Sequence, residues 1–136
     1  MPTVQIFNSF KEAVAEGVHD LGADSLKFML TNVAPSLSNT VKADLTEISA
    51  GNGYTAGGIA VTVSSSAQTG GTYSLALDSA TFTASGGSFA EFRYIVLYND
   101  TAGSDELIGF LDYGAGYTLT DGNTFVLTAG TFLTNA

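Results

Sequence analysis

The chain has 136 residues, no cysteine, one histidine, and thirteen acidic against four basic residues, for a formal net charge of −9. Those counts exclude disulfides, thiolate metal sites and cysteine nucleophiles, leave one imidazole without partners for a zinc cluster, and set the chain against a phosphate backbone. No cofactor, metal or nucleic-acid partner is therefore expected.

The length fits one domain that buries a core without covalent staples. Seventeen Thr, thirteen Ser, sixteen Gly, nine Phe and six Tyr, with only 12% charged residues, favour strands joined by turns. A hydrophobic fraction of 45% is too high for a disordered chain. So low a charge implies that part of the neutral surface is covered in an assembly. Met1 to Phe7 lacks the basic and apolar regions of a secretory peptide, and no stretch approaches the ~18 apolar residues of a membrane span. The expected setting is the cytosol, with no membrane partner.

In chain order, residues 1–8 read as an extended arm in which Val4, Ile6 and Phe7 are apolar enough to order on a neighbour. Ser9 followed by Glu12 has capping-box spacing, and Phe10, Ala13, Val14 and Gly17 form a short helical stripe that ends on a left-handed glycine cap. That stripe either docks on a partner, with Phe10 as a contact, or packs on the chain's own sheet. Leu26, Phe28 and Leu30 then alternate with Lys27, Met29 and Thr31, the pattern of a half-buried strand.

From Asn32 to Asn52 periodicity disappears, apart from one helical turn around Lys42 to Thr46. A loop this long is commonly functional or pinned by a partner, so this excursion is the expected binding surface. Asn52 and Tyr54, at its junction with the glycine-rich Gly51–Gly58 stretch, are its candidate contacts. That stretch lacks the spacing of a dinucleotide fingerprint and runs into a strand, so it reads as a turn.

Further strands follow at Ile59–Val63, Tyr73–Leu77 and Ala80–Ala84, with a Ser/Gln/Gly turn before the second. Phe92–Tyr98 and Leu107–Leu111 are apolar on both alternating sets, as expected of central strands covered on both faces. The polar Asn99–Asp105 connection makes them an antiparallel pair. Thr124–Thr128 is a last strand, and Phe132-Leu133 anchors the tail. The expected architecture is mainly β: one domain over 1–136, an antiparallel β-sandwich or small barrel of about seven strands with a short N-terminal helix.

His19 has no Gly-x-Ser-x-Gly elbow to serve and reads as a surface or capping residue. Asp105, Glu106, Asp112 and Asp121 lie near strand ends, where paired carboxylates could flank a glycosidic bond, but thirteen acids put some close together by chance. Asn99, Asp100, Ser104, Asp105 and Glu106 crowd oxygens into one loop without an EF-hand pattern. The six tyrosines could stack on a sugar, although most sit inside strand patterns where core packing uses them.

The order Asn8-Ser9-Phe10-Lys11, Leu26–Leu30, Gly53–Gly58, Tyr94–Thr101 and Leu107–Gly114 resembles a family of small virion structural proteins of tailed bacteriophages, over most of the chain. Val33 to Val41 departs from the pattern, with Pro, Ser and Asn where the family carries an acidic, aromatic-containing segment. The resemblance implies a non-enzymatic capsid cement or decoration protein with no catalytic residues to carry over. It would sit on the virion exterior after time in the host cytoplasm, bind the major capsid protein or another virion protein, and form a homo-oligomer such as a trimer. Alternatives are a tail, fibre or neck component, and a carbohydrate-binding β-sandwich module. The interaction candidates are Val4, Ile6, Phe7, Phe10, Asn52 and Tyr54.

Overall fold

A computed structural model describes residues 4–135. In chain order the elements are β1 (Val4–Ile6), α1 (Ser9–Ala15), β2 (Leu26–Thr31), a 3-10 turn (Lys42–Asp44), β3 (Ile59–Val61), β4 (Val63–Thr69) and β5 (Thr72–Leu77). They continue with β6 (Ala80–Thr83), β7 (Phe92–Asn99), β8 (Leu107–Tyr117), β9 (Thr124–Leu127) and β10 (Gly130–Asn135). Every pairing is antiparallel, in a five-stranded sheet β1-β8-β7-β2-β3, a three-stranded sheet β10-β5-β4 and the ribbon β6-β9. The fold is mainly β and sandwich-like, with one short helix.

Alternation in β2 and β7 sends Leu26, Phe28, Leu30, Ile95 and Leu97 to the inner face of the large sheet. There they join Leu75, Leu77, Phe82, Leu127, Phe132 and Leu133 in the main core. Phe28 and Phe132 meet with ring centroids 5.8 Å apart. As expected, β7 and β8 are central and paired, but a bulge separates Leu97, opposite Gly109, from Tyr98, opposite Leu107. The extra residue, Ile108, puts Leu107 and Phe110 on the same outer face although they are three apart.

That outer face is where the half-buried reading of β2 fails. Met29 and Thr31 are fully buried, and Met29 joins Phe7, Val96, Tyr98, Leu107 and Phe110 in a second core, with Leu45 packed against it. The segment 32–50 folds back as a lid over this face, and the lid makes the burial possible. Backbone bonds stitch it down: Asn8 N–H to the Leu37 carbonyl at 2.9 Å, Leu107 N–H to Thr40 at 3.0 Å, Lys42 N–H to Asp105 at 3.0 Å and Ile48 N–H to Leu30 at 3.1 Å.

The rest of the chain shows three local departures from the sequence reading. Residues 4–8 are no free arm, because Val4, Gln5 and Ile6 pair with Leu111, Phe110 and Gly109 as the edge of the large sheet; residues 1–3 lie outside the described part. The Ser9–Glu12 box does not form, since Asn8 already has helical dihedrals (φ −59°, ψ −38°) and Ser9 sits inside the helix. Gly17 does end it in the left-handed region at φ 77°. The Ser/Gln run before Gly70 is no turn: it is β4, an exposed edge strand in which polarity hides the period. With β1, β4 and β10 added to the expected seven or so, the described residues form ten strands. Among the described residues, no helix is long and apolar enough to cross a membrane.

Candidate interaction surface

Of the six predicted contact residues, three are committed to the chain's own interior. Phe7 is 1% exposed with its ring 5.4 Å from Phe110, Phe10 stacks 5.3 Å from the His19 ring, and Tyr54 is 3% exposed. Val4 and Ile6 are half-buried against the core. Asn52 alone is fully at the surface, in a positive-φ turn (φ 57°) where its amide donates to the Ser88 carbonyl at 2.9 Å. Apolar side chains near a terminus or a turn look partner-facing in sequence, but intramolecular burial competes for them and here it wins.

Tyr54 and the lid share one anchor. The Tyr54 hydroxyl donates to Glu47 Oε2, Gly57 N–H donates to the same oxygen at 2.7 Å, and Lys42 Nζ lies 3.4 Å from Glu47 Oε1. The Tyr54 oxygen also accepts the Leu30 N–H at 3.1 Å, and Tyr98 donates to the Gly57 carbonyl at 2.6 Å. Burial, then the Glu47 hydrogen bond, holds the Tyr54 phenol well above the usual tyrosine range; burial and nearby carboxylates do the same for Tyr98. Both phenols therefore stay protonated donors. Gly58 makes the close turn possible, because at φ 85° a Cβ there would overlap the Phe28 carbonyl.

In the oxygen-rich loop after β7, Asn99 and Glu106 bond the loop's own backbone and Asp100 pairs with Lys27. Asn99 Oδ1 accepts the N–H groups of Thr101 and Ala102 at 2.9 and 3.2 Å, and Glu106 accepts the Ser104 N–H at 3.0 Å. Among the described residues, no three His, Asp or Glu side chains are grouped to hold a metal ion. Tyr54 and Tyr98 are buried; Tyr113, 43% exposed, packs with Tyr117 and Phe125 at ring distances of 5.3 and 5.7 Å. Tyr73, Tyr94 and Tyr117 are half-buried, so Tyr113 is the one tyrosine ring fully at the surface. His19 is neither surface nor cap: it is 7% exposed with Nδ1 3.0 Å from the Asn99 amide nitrogen.

Among the described residues, large apolar side chains remain exposed in three places: Val14 on α1, the 32–52 excursion that the sequence marks as binding surface, and a groove beside β9 that the sequence does not mark. Val33 and Leu37, 56% and 38% exposed, stand on the lid over the outer face. Tyr113 and Val126, the latter 53% exposed, flank a groove of about 240 Å³ whose floor includes the inner-face residues Ile95 and Leu111. Three of the four basic side chains pair within the chain: Lys27 with Asp100, Lys42 with Glu47 and Arg93 with Asp112. Outside these pairs the ionic surface is dominated by carboxylates. Exposed Val33 lies in the aperiodic segment that follows β2, and Val126 alternates outward in a short two-stranded ribbon; neither carried a periodic signal of its own. No family model, no curated protein and no solved structure matches the chain.

Proposed function

We propose that the chain is a non-enzymatic structural component of a tailed-bacteriophage particle. It acts as a capsid cement or decoration protein that binds the major capsid protein on the shell exterior and stabilises contacts between capsomers. The observation that carries this reading is the pair of exposed apolar places on opposite sides of the large sheet: Val33 and Leu37 on the lid, Tyr113 and Val126 at the groove. A protein that bridges neighbours needs two contact surfaces on a body that does not deform between them. A double-cored antiparallel sheet supplies such a body. Many copies, arranged as a homo-oligomer such as a trimer, then act together, so no single contact needs high affinity.

The segments that resemble virion structural proteins occupy the framework: the helix start, β2, the Gly53–Gly58 turn, β7 and β8. Low charge leaves neutral surface for neighbours, and the acidic remainder repels packaged nucleic acid. The test is copy number by quantitative mass spectrometry of virions, together with binding to expanded empty capsids. Hundreds of copies per particle support the shell; a handful rejects it in favour of a tail, fibre or neck position. Val33→Asp combined with Leu37→Asp, and separately Val126→Asp, should each weaken shell binding by about tenfold or more while leaving thermal melting unchanged.

A further inference from the structure

His19 sits in the connection between α1 and β2, packed against the Phe10 ring and 7% exposed. Its neighbour Asn99, fully buried at the end of β7, fixes its chemical state. Asn99 Oδ1 accepts two backbone N–H groups, from Thr101 and Ala102, so the amide oxygen must face the β7–β8 turn. The amide nitrogen must then face the other way, toward His19 Nδ1 at 3.0 Å and Asp24 Oδ2 at 2.7 Å. A donor on that side requires an acceptor at Nδ1, which places the imidazole proton on Nε2. Nε2 is buried with no hydrogen-bond partner. An unpaired buried donor is costly, so what the imidazole adds over a phenyl ring is its acceptor at Nδ1.

We propose that His19 and Asn99 form a pH-operated latch: the neutral imidazole holds the α1–β2 connection against the β7–β8 turn, and its protonation releases that connection. A proton on Nδ1 would point at the Asn99 N–H groups. Relief requires either that the ring leave its pocket or that the amide turn, which would abandon the Thr101 and Ala102 N–H groups and the Asp24 carboxylate.

The charged groups around the ring do not all agree. Asp24 from the same connection and Glu106 from the start of β8 both favour the imidazolium; burial opposes it and outweighs them, so the imidazole lies below its ordinary range. Asp20 adjoins it in sequence, Asp100 is paired with Lys27 of β2, and β4 and β5 contribute Ser66 and Tyr73 to the groove that His19 lines. A folded-state value below the unfolded one means stability is fully present above about pH 6.5 and is lost as pH falls from there through the folded value. Release is local, because Ser25 is held independently: its N–H donates to Thr101 Oγ1 and its carbonyl accepts the Asp100 N–H, both at 2.8 Å.

Because His19 is the chain's one histidine, nitrogen-15 NMR reads it without ambiguity. The expected result is the Nε2–H tautomer at neutral pH and a titration midpoint below about 6.5. Hydrogen-exchange protection at Thr101, Ala102 and Asp24 should fall about tenfold over that titration, while Leu97 stays protected. An Nδ1–H tautomer, a midpoint at or above the ordinary value, or a titration that leaves those amides undisturbed overturns the latch. His19→Gln keeps an acceptor and removes the titration, so it should abolish the step; a step that persists is equally fatal. The tautomer and the midpoint are measured on the unaltered chain, so the test survives a variant that does not fold.

Discussion

The two faces of the five-stranded sheet are held in different ways. The inner face is a broad apolar contact in which Phe28, Leu30, Ile95 and Leu97 meet the second sheet and the ribbon, and its strength scales with area removed from water. The outer face has a smaller apolar patch, closed by an irregular lid whose hold depends on a few aimed hydrogen bonds centred on Glu47, Tyr54 and Gly57. Area tolerates small displacements, whereas a hydrogen-bonded anchor either forms or fails. Loss on the inner side should therefore lower global stability, and loss on the outer side should open the lid first.

Phe28→Ala offers the strongest test of the inner face and should cost about 4 kcal/mol of unfolding free energy in a urea titration. Gly58→Ala strikes both faces, since it strains a positive-φ turn and collides with the β2 backbone; about 3 kcal/mol is expected, with reduced soluble yield. Glu47→Ala removes the acceptor of the lid anchor and should cost about 2 kcal/mol, with amide protection at Gly57 falling before that of Leu97. Equal loss at both amides would show that the faces unfold as one unit. Tyr98→Phe deletes a single hydroxyl donor and should cost about 1 kcal/mol. The folded phenols of Tyr54 and Tyr98 are shifted upward, so their stabilising contribution is complete below about pH 10 and is lost as pH rises through the folded values. The Tyr98→Phe variant should accordingly show a shallower alkaline decline in melting temperature. Asp112→Asn breaks a solvent-exposed pair with Arg93 and should leave the melting temperature within error.

The sequence carried the inner face through alternation in β2, and the two-sided cover of β7 and β8 through runs that are apolar on both alternating sets. It also located the 3-10 turn at Lys42–Asp44 and the left-handed end of α1 at Gly17. At β2 the outer face was hidden because its cover is aperiodic: nothing in the local pattern of Met29 or Thr31 distinguishes a solvated side from one roofed by residues 32–50. Val4–Ile6 is too short for a period-two signal, and β4 is too polar, its side chains being mostly in water. The contact candidates suffered from the same gap. Phe7, Phe10 and Tyr54 are apolar enough for a partner, and only three-dimensional placement shows that the chain itself has used them.

The hairpin between β4 and β5 turns at Gly70 and Gly71, both with positive φ and with open space where a Cβ would project. A two-residue tip of this kind closes the ribbon without leaning on anything else. A guest peptide spliced between those glycines would add mainly loop-closure entropy, which grows only slowly with length. Because β4 is an edge strand with mostly exposed side chains, the guest would stand clear of both cores. The molecule thus already contains a display position, one that could carry a tag or an epitope outward while the sheet beneath keeps its shape.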